Sequence, residues 1–225
     1  MTETRSLTIR DSLSVSLTVG AYGVAFGAAS VAAGFSVAQS CALSLFTFTG
    51  ASQFAAVGVI GAGGVAASAI GAATMLGTRN ALYGIQMAPL VRATGLKRLV
   101  AAHLTIDEST GVALSQAPRG TAAMRLGFWL TGSGVFLFWN VFTLLGALGA
   151  KALGNPASWG LDAAVPAAFL ALLWPRLENA FLRWVAVASM VFTLGVSTFL
   201  PAGLPIIAAT LVAVVVGWRP RRDDR

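Results

Sequence analysis

Thr47-Phe48-Thr49-Gly50-Ala51-Ser52-Gln53-Phe54 and Thr78-Arg79-Asn80-Ala81-Leu82-Tyr83-Gly84 are two polar knots within sequence that is otherwise apolar. Around them no charged residue occurs from Ser12 to Thr78, 67 residues in all. Further uncharged runs cover Leu126–Ala150 and Val185–Trp218. A helix needs about 20 apolar residues to cross a bilayer, so these runs hold several crossings rather than one buried core segment. Charged residues make up only 10% of the chain and hydrophobic ones 56%. A soluble domain of 225 residues would lack the polar groups to cover its surface. The apolar segments also lack the period-two alternation of barrel strands. The expected fold is all-α: a single-domain polytopic membrane helix bundle over residues 1–225, with about seven spans, some of them broken or short.

The net charge of +7 does not point to nucleic acid. The longest hydrophilic stretch, Arg92–Arg125, is 34 residues and contains apolar turns, so no separate basic domain exists. Lys and Arg read instead as markers of cytoplasmic loops. Cys41 alone forms no internal disulfide. No cleavage site follows the first apolar run, which is expected to be a retained span rather than a signal peptide.

In the first span, Leu13–Gly34, the residues Ser16, Gly20, Gly23, Gly27, Ser30 and Gly34 recur at steps of four and three. They share one helix face and mark it as an interface for another backbone. The second span, Gln39–Ile60, carries the first knot. Gly50 loosens a helix and Ser or Thr caps a new one, so a break there would create a half-helix whose N-terminus attracts anions. An unbroken helix whose hydroxyls bond back to its own carbonyls remains the alternative.

Gly61–Gly77 holds 13 Gly, Ala, Ser or Thr residues in 17 and suits the centre of a bundle. A break is expected at Thr78-Arg79-Asn80, with two short segments folding around the arginine. The other possibility is an arginine that snorkels from a helix end. Leu96–Gln116 is the least apolar span; its carboxylates, Asp107 and Glu108, face the bundle interior or cap a re-entrant helix. A metal site from His103, Asp107 and Glu108 would have no second cluster to complete it, so none is expected.

Ala123–Ala150 fits a tilted span containing Trp129, Trp139 and Asn140. Trp159 and Trp174 bracket the next span, and Asp162 lies one turn inside it, where a carboxylate also favours a helix N-terminus. Leu177–Leu200 and Leu204–Trp218 follow. The arginines at 219, 221, 222 and 225 argue for a cytoplasmic C-terminus, and those near the N-terminus argue the same for that end, more weakly because Glu3 and Asp11 stand beside them; an odd span count contradicts one of the two, so the sequence leaves the orientation open.

Four motifs occur in order: Gly50-Ala51-Ser52-Gln53-Phe54, Arg79-Asn80-Ala81-Leu82-Tyr83-Gly84, Thr105-Ile106-Asp107-Glu108 and Val165-Pro166-Ala167-Ala168-Phe169. In these the chain resembles the AzlC family, the large subunit of two-component branched-chain amino acid exporters of bacteria. Two positions depart from the family's usual pattern: Asn80 stands where it often has histidine, and Ile106 splits its Thr-Asp-Glu. The resemblance implies export of valine, leucine, isoleucine or similar amino acids across the bacterial inner membrane. It also implies a small hydrophobic AzlD-type partner subunit. No cofactor and no enzymatic activity are expected.

An apolar amino acid needs a cation or helix N-terminus for its carboxylate, carbonyls or a carboxylate for its ammonium, and a dry pocket for its side chain. The substrate-binding candidates are Thr49, Gly50, Ser52, Gln53, Phe54, Arg79 and Asn80, with Phe48 also shaping the pocket. The proton-coupling candidates are Asp107, Glu108 and Asp162. No phosphate-binding loop for ATP is present. One charge moving through about 100 mV yields roughly 2.3 kcal/mol, enough for a gradient of roughly 50-fold, so proton coupling would suffice. Two other classes use the same residues. An intramembrane serine hydrolase would pair Ser52 or Ser133 with His103, and a channel or carrier for another small solute would use the polar breaks.

Overall fold

The computed structural model describes residues 2–154, 167, 170 and 173–217. Among them every regular element is helical: α1 (Thr2–Ala32), α2 (Val37–Phe46), α3 (Ala51–Gly61), α4 (Ala66–Val91), α5 (Leu96–His103), α6 (Asp107–Ser115), α7 (Thr121–Ala152), α8 (Ala180–Ser197) and α9 (Leu204–Gly217). Glu3–Ala32, Thr121–Ala152 and Ala180–Ser197 are long and apolar enough to cross a membrane, and α2 and α3 are shorter apolar helices. The chain is a membrane helix bundle, as its composition requires.

Helices α1 and α7 form the spine, and the small-residue face of α1 explains why. Ser16 Oγ donates to the Thr131 carbonyl at 3.3 Å. A Cβ added at Gly20 would strike Phe138, one at Gly23 the Trp139 carbonyl, and one at Gly27 the Thr143 carbonyl. Gly146 of α7 lies in the same way on the backbone of Val24. Backbones this close gain dispersion contacts that larger side chains would prevent, which is how helices associate when lipid is as apolar as they are. The stripe also serves a second neighbour: the Ser30 and Ser40 hydroxyls bond at 2.7 Å, joining α1 to α2. Gly34 lies beyond α1 at φ 93, where the chain turns.

Two expected spans are hairpins instead. Ser36 starts α2 with a capping box, its hydroxyl and the Gln39 side chain satisfying each other's backbone N–H groups. The chain breaks at Thr47–Gly50, and α3 returns until Gly61 lies beside Ala33 at the end where α1 finished. The segment Gln39–Ile60 therefore dips in and comes back. Leu96–Gln116 does the same from the opposite end: α5 rises to His103, the chain breaks at Leu104–Ile106, and α6 descends until Gln116 meets Thr8 near the start of α1. The two tips meet at mid-depth, where the rings of Phe48 and His103 lie 5.8 Å apart.

The break expected at Thr78-Arg79-Asn80 does not form. Helix α4 runs unbroken from Ala66 to Val91. Arg and Asn cost a helix little compared with Gly or Pro, and the Thr78 hydroxyl simply bonds back to the Met75 carbonyl at 2.6 Å. The glycine-rich first half of α4 packs against α3, with Gly77 facing the Ser52 side chain.

The charges divide between the two ends. Arg119 pairs with Asp11 at 2.9 Å, and Arg125 Nε donates to the Leu90 carbonyl at 2.7 Å. These contacts bring the starts of α1 and α7 together with the end of α4. Arg5, Arg10, Arg92, Lys97, Arg98, Arg119 and Arg125 all gather there. At the other end, Gly64 lies beside Ala202 and Val59 in a region of small apolar residues. From there α9 runs along α4, its Ile207 meeting Gly71. The span expected between Trp159 and Trp174, and with it Asp162, lies outside the described residues apart from positions 167, 170, 173 and 174.

Candidate functional site

The break at Thr47–Gly50 is built from the residues that suggested it. Gly50 adopts φ 62 and ψ −92, a conformation open to glycine and strained for residues with a Cβ. Gln53 then ties the tip together. Its Oε1 accepts the Gly50 N–H at 3.2 Å, and its Nε2 donates to the Leu43 carbonyl, a helix-end acceptor of α2, at 2.9 Å. The other tip repeats this arrangement with a smaller residue. Ser109 Oγ accepts the Ile106 N–H at 3.1 Å and donates to the Leu104 carbonyl at 2.7 Å. Each half-helix thus begins where the tips meet, which puts the positive end of its dipole there.

Gln53 is buried, so its brace is a stability element with a measurable weight. Gln53→Ala leaves the buried tip's Gly50 N–H without a partner, while the Leu43 carbonyl keeps the Thr47 N–H and hydroxyl, at an expected cost of about 1–3 kcal/mol. Gln53→Glu keeps the acceptor and loses the donor, so its thermal midpoint in detergent should fall between those of the wild type and the alanine variant. Equal midpoints for all three would remove the brace.

A cavity of about 190 Å³ lies where the tips meet. That is below the roughly 300–1,000 Å³ of sites for drug-sized ligands, and suits a smaller solute. Its polar wall comes from three elements: Thr49, Gly50 and Ala51 at the start of α3, Arg79 from α4, and Asp107 and Glu108 at the start of α6. Arg79 Nη2 lies 3.4 Å from Asp107 Oδ1, with the two side chains 32% and 22% exposed. This is the only hydrogen bond of Arg79 among the described residues, and a guanidinium carries five N–H donors in all. The apolar wall is Val19 and Tyr22 of α1, Leu76, Ile106, Leu173, Val135 and Trp139 of α7, and Phe48, the aromatic that the sequence had suggested would shape it.

The sequence-based candidates separate accordingly. Thr49, Gly50, Arg79, Asp107 and Glu108 converge on the cavity. Gln53 stands behind it as the brace. Ser52 points toward Gly77 of α4, its buried hydroxyl without a partner among the described residues. Phe54 is fully buried between Phe26 and Trp139, in edge contact with both rings. Asn80 has a buried Oδ1 without a partner among the described residues and lies outside the cavity wall. The serine–histidine pairing with Ser52 is not formed, since the His103 ring lies against Phe48 and Phe136.

Sequence reasoning missed Val19, Tyr22, Val135 and Trp139 as wall residues. Trp139 offered one signal: it stands mid-span, away from the interfacial belts where membrane tryptophans concentrate. Its ring is fixed by stacking on Phe26 at 6.0 Å and an edge contact with Phe54 at 6.2 Å.

Compared with known families, residues 14–153 match the family model described as AzlC protein. The matched segment takes in α1 through α7 almost entirely, both hairpins, and every cavity residue except Leu173. No curated protein and no solved structure matches the chain.

Proposed function

We propose that this chain, which belongs to the AzlC family, exports branched-chain or similar apolar amino acids across the bacterial cytoplasmic membrane, driven by protons and together with a small AzlD-type subunit. Membrane transport follows from the family; the solute, the coupling and the partner are our reading. The observation that carries it is the composition of the cavity. A guanidinium, two carboxylates and two half-helix N-termini share one small space with an apolar wall.

A zwitterion with a short hydrocarbon side chain satisfies all three chemistries at once. Its carboxylate takes donors from Arg79 and from the first turn of α3. Its ammonium takes Glu108 or Asp107. Its side chain lies against Val19, Leu76 and Val135. The basic end faces the cytoplasm, following the excess of Lys and Arg in cytoplasmic loops. The hairpin of α5 and α6 then enters from the cytoplasm, and that of α2 and α3 from outside. Asp107 and Glu108 carry the coupling proton, because their carboxylates meet the substrate's ammonium directly.

The test uses everted membrane vesicles from cells that express the full chain with its AzlD-type subunit, and radiolabelled leucine as probe. Leucine accumulation should rise when a pH gradient, acidic inside, is imposed, and collapse with a protonophore. Accumulation that ignores the gradient would remove proton coupling. Equal uptake of D- and L-leucine without saturation would replace the carrier with a channel.

A further inference from the structure

The turn between α4 and α5 gathers positive charge that nothing around it balances. Arg92, Lys97 and Arg98 stand close in sequence, and Arg125 of α7 reaches the same turn through the Leu90 carbonyl. None of the four forms an ion pair among the described residues. Lys97 and Arg98 occupy the first turn of α5, where the helix dipole disfavours cations, and no acidic residue is there to offset them. Arg92 is placed at a cost of another kind. It ends α4 at φ 50 and ψ 37, a left-handed conformation that a Cβ makes unfavourable, and every other described residue with positive φ is a glycine. An arginine kept in such a position points to a use for its side chain. Its Nε donates to the Pro89 carbonyl at 3.2 Å, and its Nη groups have no partner among the described residues.

Two grooves open beside this turn and share Val91 and Ala93 as walls. The first, of about 560 Å³, brings Arg92 and Lys97 together over Thr94 and Trp129. The second, of about 370 Å³, runs between α4, α5 and α7 with Arg98 on its wall. Small residues, Gly84, Ala88 and Ala102, form its sides over a floor of Met87 and Phe128. A Cβ added at Gly84 would meet nothing within 4 Å, so the groove stays open there. Gly84 lies about 12 Å along α4 from Arg92, so this groove leads from the charged turn toward the apolar depth of the bundle. Among the described residues no carboxylate lines either groove. Leu96 and Leu99, beside Lys97 and Arg98 on α5, are 81% and 68% exposed, so apolar surface begins where the charges are.

We propose that the turn between α4 and α5 binds an anionic phospholipid, its phosphate between Arg92 and Lys97 with Arg98 beside it, and an acyl chain along Gly84, Ala88 and Ala102. The phosphate supplies the negative charge that this turn lacks, and a guanidinium meets its oxygens with paired donors. A soluble anion would satisfy the charges and leave the apolar groove empty; a zwitterionic lipid would fill the groove and bring an ammonium to the cations. A lipid with net negative charge fits both. The site lies at the foot of α5, the arm that leads to His103 and the tip, so the bound lipid holds this hairpin at the membrane face. The inference depends on neither the solute nor the coupling ion proposed above.

The test titrates the full chain in detergent with phosphatidylglycerol or phosphatidylcholine of the same acyl chains, and reads bound lipid by native mass spectrometry beside the thermal midpoint. Phosphatidylglycerol should bind about 10-fold or more tightly than phosphatidylcholine and raise the midpoint. Arg92→Gly/Lys97→Gln should weaken phosphatidylglycerol by about 30-fold, the scale for two cations at an anionic lipid. Without lipid its midpoint should not fall, since glycine suits the left-handed position, so a loss of binding reports the site and not unfolding. Arg5→Gln/Arg10→Gln removes two cations elsewhere at the same end and should change binding by less than about 3-fold. Equal losses in the two variants would mean diffuse attraction to a basic surface and would overturn the site. Equal binding of the two lipids would mean that the groove takes any acyl chain. Inorganic phosphate that raises the midpoint as phosphatidylglycerol does would make this a place for a soluble anion. Either of these results also overturns the proposal.

Discussion

Gly146→Ala should lower the stability of the folded protein sharply. The added methyl would have to occupy the space of the Val24 backbone, which unlike a side-chain tip cannot turn aside. Helices α1 and α7 would have to separate along their length, at an expected cost of about 3 kcal/mol or more. For a chain of this size that lowers the thermal midpoint by about 6–12 °C. Gly27→Ala, which meets the Thr143 carbonyl from the opposite helix, should cost about as much. The double variant should cost less than the sum, since separation forced by one methyl makes room for the other. Gly149→Ala provides the control: it lies on α7 with nothing within 4 Å of an added Cβ, and should be neutral or stabilising. The three midpoints, measured in detergent, decide the matter. A Gly146→Ala protein as stable as Gly149→Ala would mean that the spine is not packed backbone to backbone.

The second large effect should appear at Arg79. Arg79→Ala removes the cavity's guanidinium and leaves Asp107 without its arginine partner, so transport should fall by about 100-fold or more. Because that change also disturbs a partly buried charge pair, stability has to be read separately. Arg79→Gln/Asp107→Asn removes both charges and should keep the midpoint near wild type while transport stays lost. Arg79→Lys should recover only part of the activity, since an ammonium offers a point charge in place of a planar fork. Undiminished leucine flux in Arg79→Ala would remove the cavity as the substrate site.

These expectations draw on features that were unequally visible in the sequence. The 67-residue uncharged run required a membrane fold because nothing else buries so much apolar chain without charge. The face of α1 from Ser16 to Gly27 was legible because helical periodicity alone places those residues in register, though their partner, α7, lies more than a hundred residues on. The break at Gly50 was half legible: the glycine and the flanking hydroxyls suggested it, and the brace from Gln53 to Leu43 settled it. The break at Leu104–Ile106 has neither glycine nor proline. Its marks were Asp107 and Glu108 in the first turn of α6, and these had suggested a re-entrant cap.

Arg79 misled in one respect, because an expensive side chain in lipid does not require a broken backbone. Its cost is met by a carboxylate 28 positions away, a distance no local pattern encodes. Nor does local sequence tell a hairpin from a crossing. That required Gly61 to be found beside Ala33.

The glycine-tight seam between α1 and α7 also determines where movement can occur. Backbones in direct contact have no compliant layer between them, so this pair behaves as a fixed post from one face of the bilayer to the other. The cavity leans on that post through Val19, Tyr22, Val135 and Trp139, while Thr49, Gly50, Asp107 and Glu108 ride on two short plugs inserted from opposite faces and Arg79 on the long helix α4. In the transport cycle proposed above, exposure of the cavity to either side would come from partial withdrawal of one plug along a stationary wall. Half of the solute's surroundings would stay the same throughout the cycle.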